Sequence, residues 1–239
     1  MRSSNPVFNS IERSHAYESV DAASYGGIVT KTAILLLTAV LSGFLAITYL
    51  PVETLYGVLI GAFIFAFISV IIASMSVRLA PIFSVTYALF EGVLLGVITM
   101  VFEAFVPGVA TAAVLATGAI FTVMLFLYSS RTIRVTHRFR RIMYGVLFGI
   151  LLFVVLSLLL SLVGVTIQFS TPLVLLVSGV FIVFGALMLT LDFDRAEMIV
   201  ESGADKRYEW VVAVGLMVTI VWIYLELLRF IAIIANSRR

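Results

Sequence analysis

No cysteine occurs in the 239 residues, which excludes disulfides, thiolate metal sites and thiol nucleophiles together. Histidine is almost as scarce. His15 and His137 stand far apart and outside the apolar runs, which argues against a histidine metal site. Lysine occurs only as Lys31 and Lys206, and neither lies in the last apolar run, so a retinal Schiff base there is excluded. A His-Glu-x-x-His motif, a Ser and His pair and paired aspartates within the apolar runs are all missing, so an intramembrane protease is not indicated and the chain reads as a non-enzyme. Charged residues amount to 12% against 62% hydrophobic, with a mean hydropathy of +1.20. A soluble surface could not cover that apolar content. The polar first thirty residues contain no apolar segment ahead of a small-residue cleavage site, so no signal peptide is expected.

Long apolar runs take the place of these features. Seven of them cover residues 28–50, 54–75, 80–102, 107–129, 143–164, 172–191 and 210–235. Each is close to the ~20 residues that a helix rising ~1.5 Å per residue needs to cross a ~30 Å hydrocarbon layer. Lipid offers no water to backbone amides, so spans of this length are predicted to be helices. The shorter alternating segments of a β-barrel are not seen. The predicted fold class is therefore an all-α membrane protein with seven transmembrane helices. Its parts are an N-terminal arm (1–27), the transmembrane domain (28–235) and a short tail (236–239).

Basic residues decide orientation. Arg2, Arg13 and Lys31 accompany the arm, Arg78 the second joint, Arg131, Arg134, Arg138, Arg140 and Arg141 the fourth, and Arg195, Lys206 and Arg207 the sixth. The first, third and fifth joints carry no Lys or Arg. The positive-inside rule then predicts a cytoplasmic N-terminus and, after seven crossings, an extracytoplasmic C-terminus, with Arg229, Arg238 and Arg239 as the opposing minority. The only basic cluster sits in a short joint, so nucleic-acid binding is not expected. Contact with anionic lipid is the simpler use of it.

Pro51, Pro81, Pro107 and Pro172 fall at span ends, where a missing N–H costs least. Gly57 with Gly61, Gly92 with Gly96, and Gly145 with Gly149 have the spacing that lets helices approach closely in lipid. They are read as packing within the bundle.

Chemistry would have to reside in the few ionisable groups near or within the spans. A charge at the bilayer centre costs about 2.5–3.5 kcal/mol. Glu91 lies roughly 16 Å along the third span by the helical rise, near the midplane, where burial favours its neutral form. It is read either as structural glue or as part of an ion or proton path. Asp192 and Asp194 close the sixth span. Two residues apart on a helix they point to opposite sides, so one is expected to face the bundle, and the deeper Asp192 is the candidate. Arg78 could pair with it, as could Arg195 locally. Glu226 has Arg229 three residues on, Lys31 is read as snorkelling, and Tyr208, Trp210, Trp222 and Tyr224 as an interfacial belt.

Several blocks resemble the prokaryotic branch of the Bax inhibitor-1-like (TMBIM) membrane proteins. They are Met1-Arg2-Ser3-Ser4-Asn5-Pro6-Val7, the stretch from Ser24-Tyr25-Gly26-Gly27 to Thr32, Tyr87-Ala88-Leu89-Phe90-Glu91-Gly92, Lys206-Arg207-Tyr208-Glu209-Trp210, and Tyr224 to Arg229. The resemblance implies a seven-helix bundle with the last helix central, in a prokaryotic inner membrane. It also implies a calcium leak closed by carboxylates at the cytoplasmic mouth, with an aspartate pair on the last two helices setting the state. The sixth-helix aspartate of the family matches Asp192, and the arginine that latches to it resembles Arg78. The seventh-helix aspartate falls at about Thr219, which cannot titrate, so either Asp192 acts alone against Arg78 or Glu91 supplies the second acid. pH-sensing would then rest on Asp192, Arg78 and Glu91, and the ion path on Glu91, Glu226, Thr219 and Asp194, with Glu91 and Asp192 as calcium ligands and no resident cofactor. The expected partners are the lipid bilayer and calcium. A second reading is a non-conducting protein that modulates membrane-protein quality control through contacts with other membrane proteins, such as a membrane protease.

Overall fold

The computed structural model describes residues 22–165 and 169–237, with backbone alone for 52–56. Among these residues it contains seven α-helices and no strand: α1 (Tyr25–Tyr49), α2 (Val52–Met75), α3 (Ala80–Phe105), α4 (Val109–Ser129), α5 (His137–Leu162), α6 (Thr171–Glu201) and α7 (Tyr208–Asn236). All seven contain a stretch long and apolar enough to cross a membrane. The protein is an integral membrane protein built as a helical bundle. α7 is the most enclosed of the helices, with 61% of its apolar window buried against at most 28% in any other. Arg2, Arg13, His15, Arg238 and Arg239 lie outside the described residues.

The seven runs and the seven helices correspond one to one, but α5 and α6 overrun their apolar stretches by more than a turn. Hydropathy reports only the lipid thickness, whereas a helix continues until its backbone bonds are capped. α5 begins six residues early because the Thr136 hydroxyl caps it, accepting from the Phe139 amide at 3.2 Å. Arg138, Arg140 and Arg141 therefore stand on a helix and not in a joint. α6 runs past residue 191 to Glu201, where Gly203 at φ 65° turns the chain and the amides of Ser202, Gly203 and Ala204 satisfy the carbonyls of Met198, Val200 and Ile199. A left-handed glycine after the last turn is a common helix stop. Asp192, Asp194 and Arg195 are thus inside α6. Pro51 caps α2, while Pro81 and Pro172 occupy the first turns of α3 and α6.

Two compact units share the chain. The first comprises residues 22–96 with 195–217. Here α1 and α3 meet backbone to backbone. A Cβ on Gly96 would lie 2.6 Å from the Gly43 carbonyl oxygen, and one on Gly92 would lie 2.2 Å from that of Ala39. Phe90 stacks on Phe65 of α2 with ring centroids 5.1 Å apart. The last residues of the N-terminal arm ahead of α1 are tied to this unit. Ala22 bridges to Asp205, and the Ala23 amide donates to the Ala204 carbonyl at 2.8 Å.

The second unit comprises residues 97–194 with 218–237. Its apolar centre is Met143, Phe184 and Leu191, with Phe139, Leu147 and Trp222 against them. Trp222 also meets Phe181 edge-on. It is part of the packed interior of this unit, not of an interfacial belt. The same holds for Tyr224, whose hydroxyl is 2.7 Å from that of Thr99. Glu103 closes the α3–α4 turn by accepting from the amides of Gly108 and Ala110. Only one of the three glycine pairs makes a close helix contact. Gly57, Gly61, Gly145 and Gly149 have open space where a Cβ would go.

Candidate functional site

Asp192 sits on α6 between the buried Leu191 and Phe193, and is itself half-buried. Opposite it on α7 is Thr219, whose Oγ1 donates to Asp192 Oδ2 at 2.6 Å. This is the length of a charge-assisted O–H···O⁻ bond. A hydroxyl serves either protonation state of such a carboxyl, donating to the anion or accepting from the acid. The pair therefore keeps one bond across α6 and α7 whether or not Asp192 carries a proton.

Asp194 is about 200° further round α6 and meets a different helix. Arg140 Nη2 on α5 lies 2.5 Å from its Oδ2, with both side chains partly exposed. Arg138 and Arg140 on the first turn of α5, with Arg141 just beyond, oppose the helix dipole, and Asp194 offsets one of them. The expectation that only one of the two aspartates faces a neighbouring helix is corrected here. In a bundle a helix has neighbours on more than one side, and both carboxylates find one.

Glu226 lies further along α7. Its Oε1 is 3.7 Å from Nη1 of Arg229, the partner anticipated from sequence. Its Oε2 is buried, and the Ser178 hydroxyl of α6 lies beside the carboxylate. In the first unit Glu91 is half-buried on α3 beside Gly92, with Tyr87 one turn earlier. Arg78 is exposed in the turn between α2 and α3. Among the described residues there is no group of three or more His, Asp or Glu side chains placed to hold a metal.

The Bax inhibitor 1 like family matches residues 5–236, nearly the whole chain. The chain belongs to that family. A search of curated proteins found no match. Family membership fits an integral membrane protein of TMBIM type, and it gives the hydroxyl at Thr219 its interest. At the place where the resemblance puts a second aspartate, this family member carries a side chain that still reaches Asp192.

Sequence reading passed over one site in this family member. Glu209, in the first turn of α7, is fully buried. Its Oε1 accepts from the Ser24 amide at 2.8 Å and the Ser24 hydroxyl at 3.1 Å, and its Oε2 pairs with Lys31 Nζ. The Lys31 ammonium also lies 5.5 Å from the centre of the Trp210 ring, a cation–π distance. Lys31 is thus an internal ion-pair partner and does not snorkel. The signal in the sequence was the Lys206-to-Trp210 block, which carries an acid next to the start of a span. Its distant partner on α1 has no local signature.

Proposed function

We propose that the protein is a cation leak of a prokaryotic inner membrane, carrying calcium, whose opening is set by the protonation of Asp192. The observation that carries this reading is the Thr219–Asp192 bond across α6 and α7, found where the family resemblance puts its sensing pair. With a hydroxyl in place of the second acid, the sensor is a single carboxyl. The family resemblance implies that ionised Asp192 is latched by an arginine, here Arg78, in the closed state; when Asp192 is protonated that attraction is lost and the open state gains population. Carboxylates such as Glu91 in the first unit, and Glu226 and Asp194 in the second, offer the hard oxygen ligands that calcium takes. The excess of Lys and Arg in alternate joints supports a cytoplasmic N-terminus and an extracytoplasmic C-terminus.

Calcium flux into proteoliposomes at stepped pH tests the reading. Wild-type flux rises as pH falls. Asp192→Asn removes the proton site, so its flux is the same at every pH, and Arg78→Ala raises the leak at neutral pH. A variant at Asp192 that keeps the wild-type pH response removes it from the mechanism. Purified protein that passes no ion at any pH points to the non-conducting, protein-contact reading instead.

A further inference from the structure

α5 is the least covered helix, with none of its apolar window buried against at least 22% in every other. One stripe holds it to the second unit: Met143 is buried, and Phe139, Leu147 and Ile150 pack around the same centre. At ~100° per residue, Arg138, Arg141, Gly145 and Gly149 all lie within about 60° of the direction opposite Met143. All four are exposed. On a helix that crosses a membrane, that side looks into lipid.

The charge on this face has no counterpart in the protein. No Asp or Glu occurs in the sequence between Glu103 and Asp192. Asp194 is taken by Arg140, Asp192 bonds Thr219, Glu103 closes the α3–α4 turn and Glu226 meets Arg229. Arg138 and Arg141 have no carboxylate partner among the described residues. They also stand near the positive end of the α5 dipole, which adds to their pull on an anion.

Below the two guanidiniums the same stripe is hollow. Gly145 and Gly149 have open space where a Cβ would go. By the helical rotation they lie between the exposed side chains of Ile142 and Val146 on one side and of Phe148 and Leu152 on the other. The result is a shallow furrow with apolar walls. From Arg141 to Gly149 is roughly 12 Å along the axis, within the ~15 Å of one hydrocarbon leaflet.

We propose that this face of α5 is a binding site for an anionic phospholipid, with the headgroup phosphate between Arg138 and Arg141 and an acyl chain in the furrow over Gly145 and Gly149. Guanidiniums three residues apart share a helix face and can both fork onto one phosphate. Charge decides against a second copy of the chain as the occupant. Copies in one membrane share their orientation, so packing through the glycines would set Arg138 and Arg141 of both at one depth, like charge against like. The lipid site requires no ion to pass and does not depend on the leak reading.

Phe148→Trp puts a fluorescent reporter at the edge of the furrow, read against the parent protein with its two tryptophans, Trp210 and Trp222. Quenching by brominated phosphatidylglycerol or brominated phosphatidylcholine in vesicles then compares the two lipids at that place. Phosphatidylglycerol should be favoured by about twentyfold. Arg138→Gln and Arg141→Gln, each added to the reporter, should cut the preference by roughly fivefold, and the two together should bring it close to one. Arg229→Gln, which removes a charge far along α7, should leave it unchanged. Gly145→Leu fills the furrow, keeps both arginines and should lower the preference several-fold. An undiminished preference in Gly145→Leu overturns the proposal, because the arginines would then act as diffuse surface charge. So does a preference that survives loss of both arginines, or displacement of the lipid by inorganic phosphate at matched ionic strength, which would assign them to a free anion. Quenching by either lipid that fades as protein density in the vesicles rises would place a second copy over the stripe and overturn it too.

Discussion

At the scale of single residues, the strongest polar commitment outside the proposed gate is Lys31 with Glu209. Both are enclosed, with side chains 12% and 1% exposed, so each has exchanged hydration for the other. Removing one partner leaves a buried charge unpaired, which costs about 3–5 kcal/mol in comparable settings. Lys31→Ala should lower unfolding stability in detergent by that order, and Lys31→Met with Glu209→Gln should recover much of it. A double variant no better than the single one would mean that the pair is not coupled. Gly27 is tied to the same site, because a Cβ there would meet the Glu209 carboxyl at 2.1–2.3 Å. Little of this was legible in sequence. Lys31 near a span end has the usual signature of a snorkelling lysine, and only the fold brings α7 to it.

At the scale of helices, small-residue spacing in the sequence selected three candidate contacts, and the packed structure uses one. Gly92 and Gly96 press on Ala39 and Gly43 of α1, while Gly145 and Gly149 face open space. The partner stripe on α1, an alanine and a glycine four residues apart, did not stand out because small residues are common in spans. Gly96→Val should destabilise by about 1–3 kcal/mol or more, since the obstructing atoms are backbone and cannot yield as a side chain would. Gly149→Val should leave stability within error in the same detergent unfolding assay. Equal losses at both positions would place Gly149 in a contact with a second copy. Helix extents show the same limit. The apolar core of each span could be read from sequence, but the overruns at α5 and α6 depended on a threonine cap and a left-handed glycine. Those overruns place Arg140 opposite Asp194.

At the scale of the whole molecule, class and helix number follow from the apolar runs because lipid demands satisfied backbones over a fixed thickness. Asp192 and Thr219 were located in the sequence by family resemblance, but their 2.6 Å contact required the fold. That contact bears on how sharply the protein would respond to pH. A lone carboxyl bonded to a hydroxyl titrates as one site, whereas two carboxyls in one enclosure titrate as a coupled pair in two separated steps. Thr219→Asp rebuilds the pair implied by the resemblance. Calcium flux in wild-type proteoliposomes should therefore rise with falling pH along a single one-proton curve. In Thr219→Asp the same rise should spread over a wider pH range with an intermediate plateau, because the two carboxyls share the first proton before binding the second. Thr219→Val, which keeps the volume but removes the hydroxyl, should retain a one-proton curve with a displaced midpoint. Identical curves for all three proteins would show that position 219 does not communicate with the sensing proton, and the single-carboxyl account of the gate would fall with it.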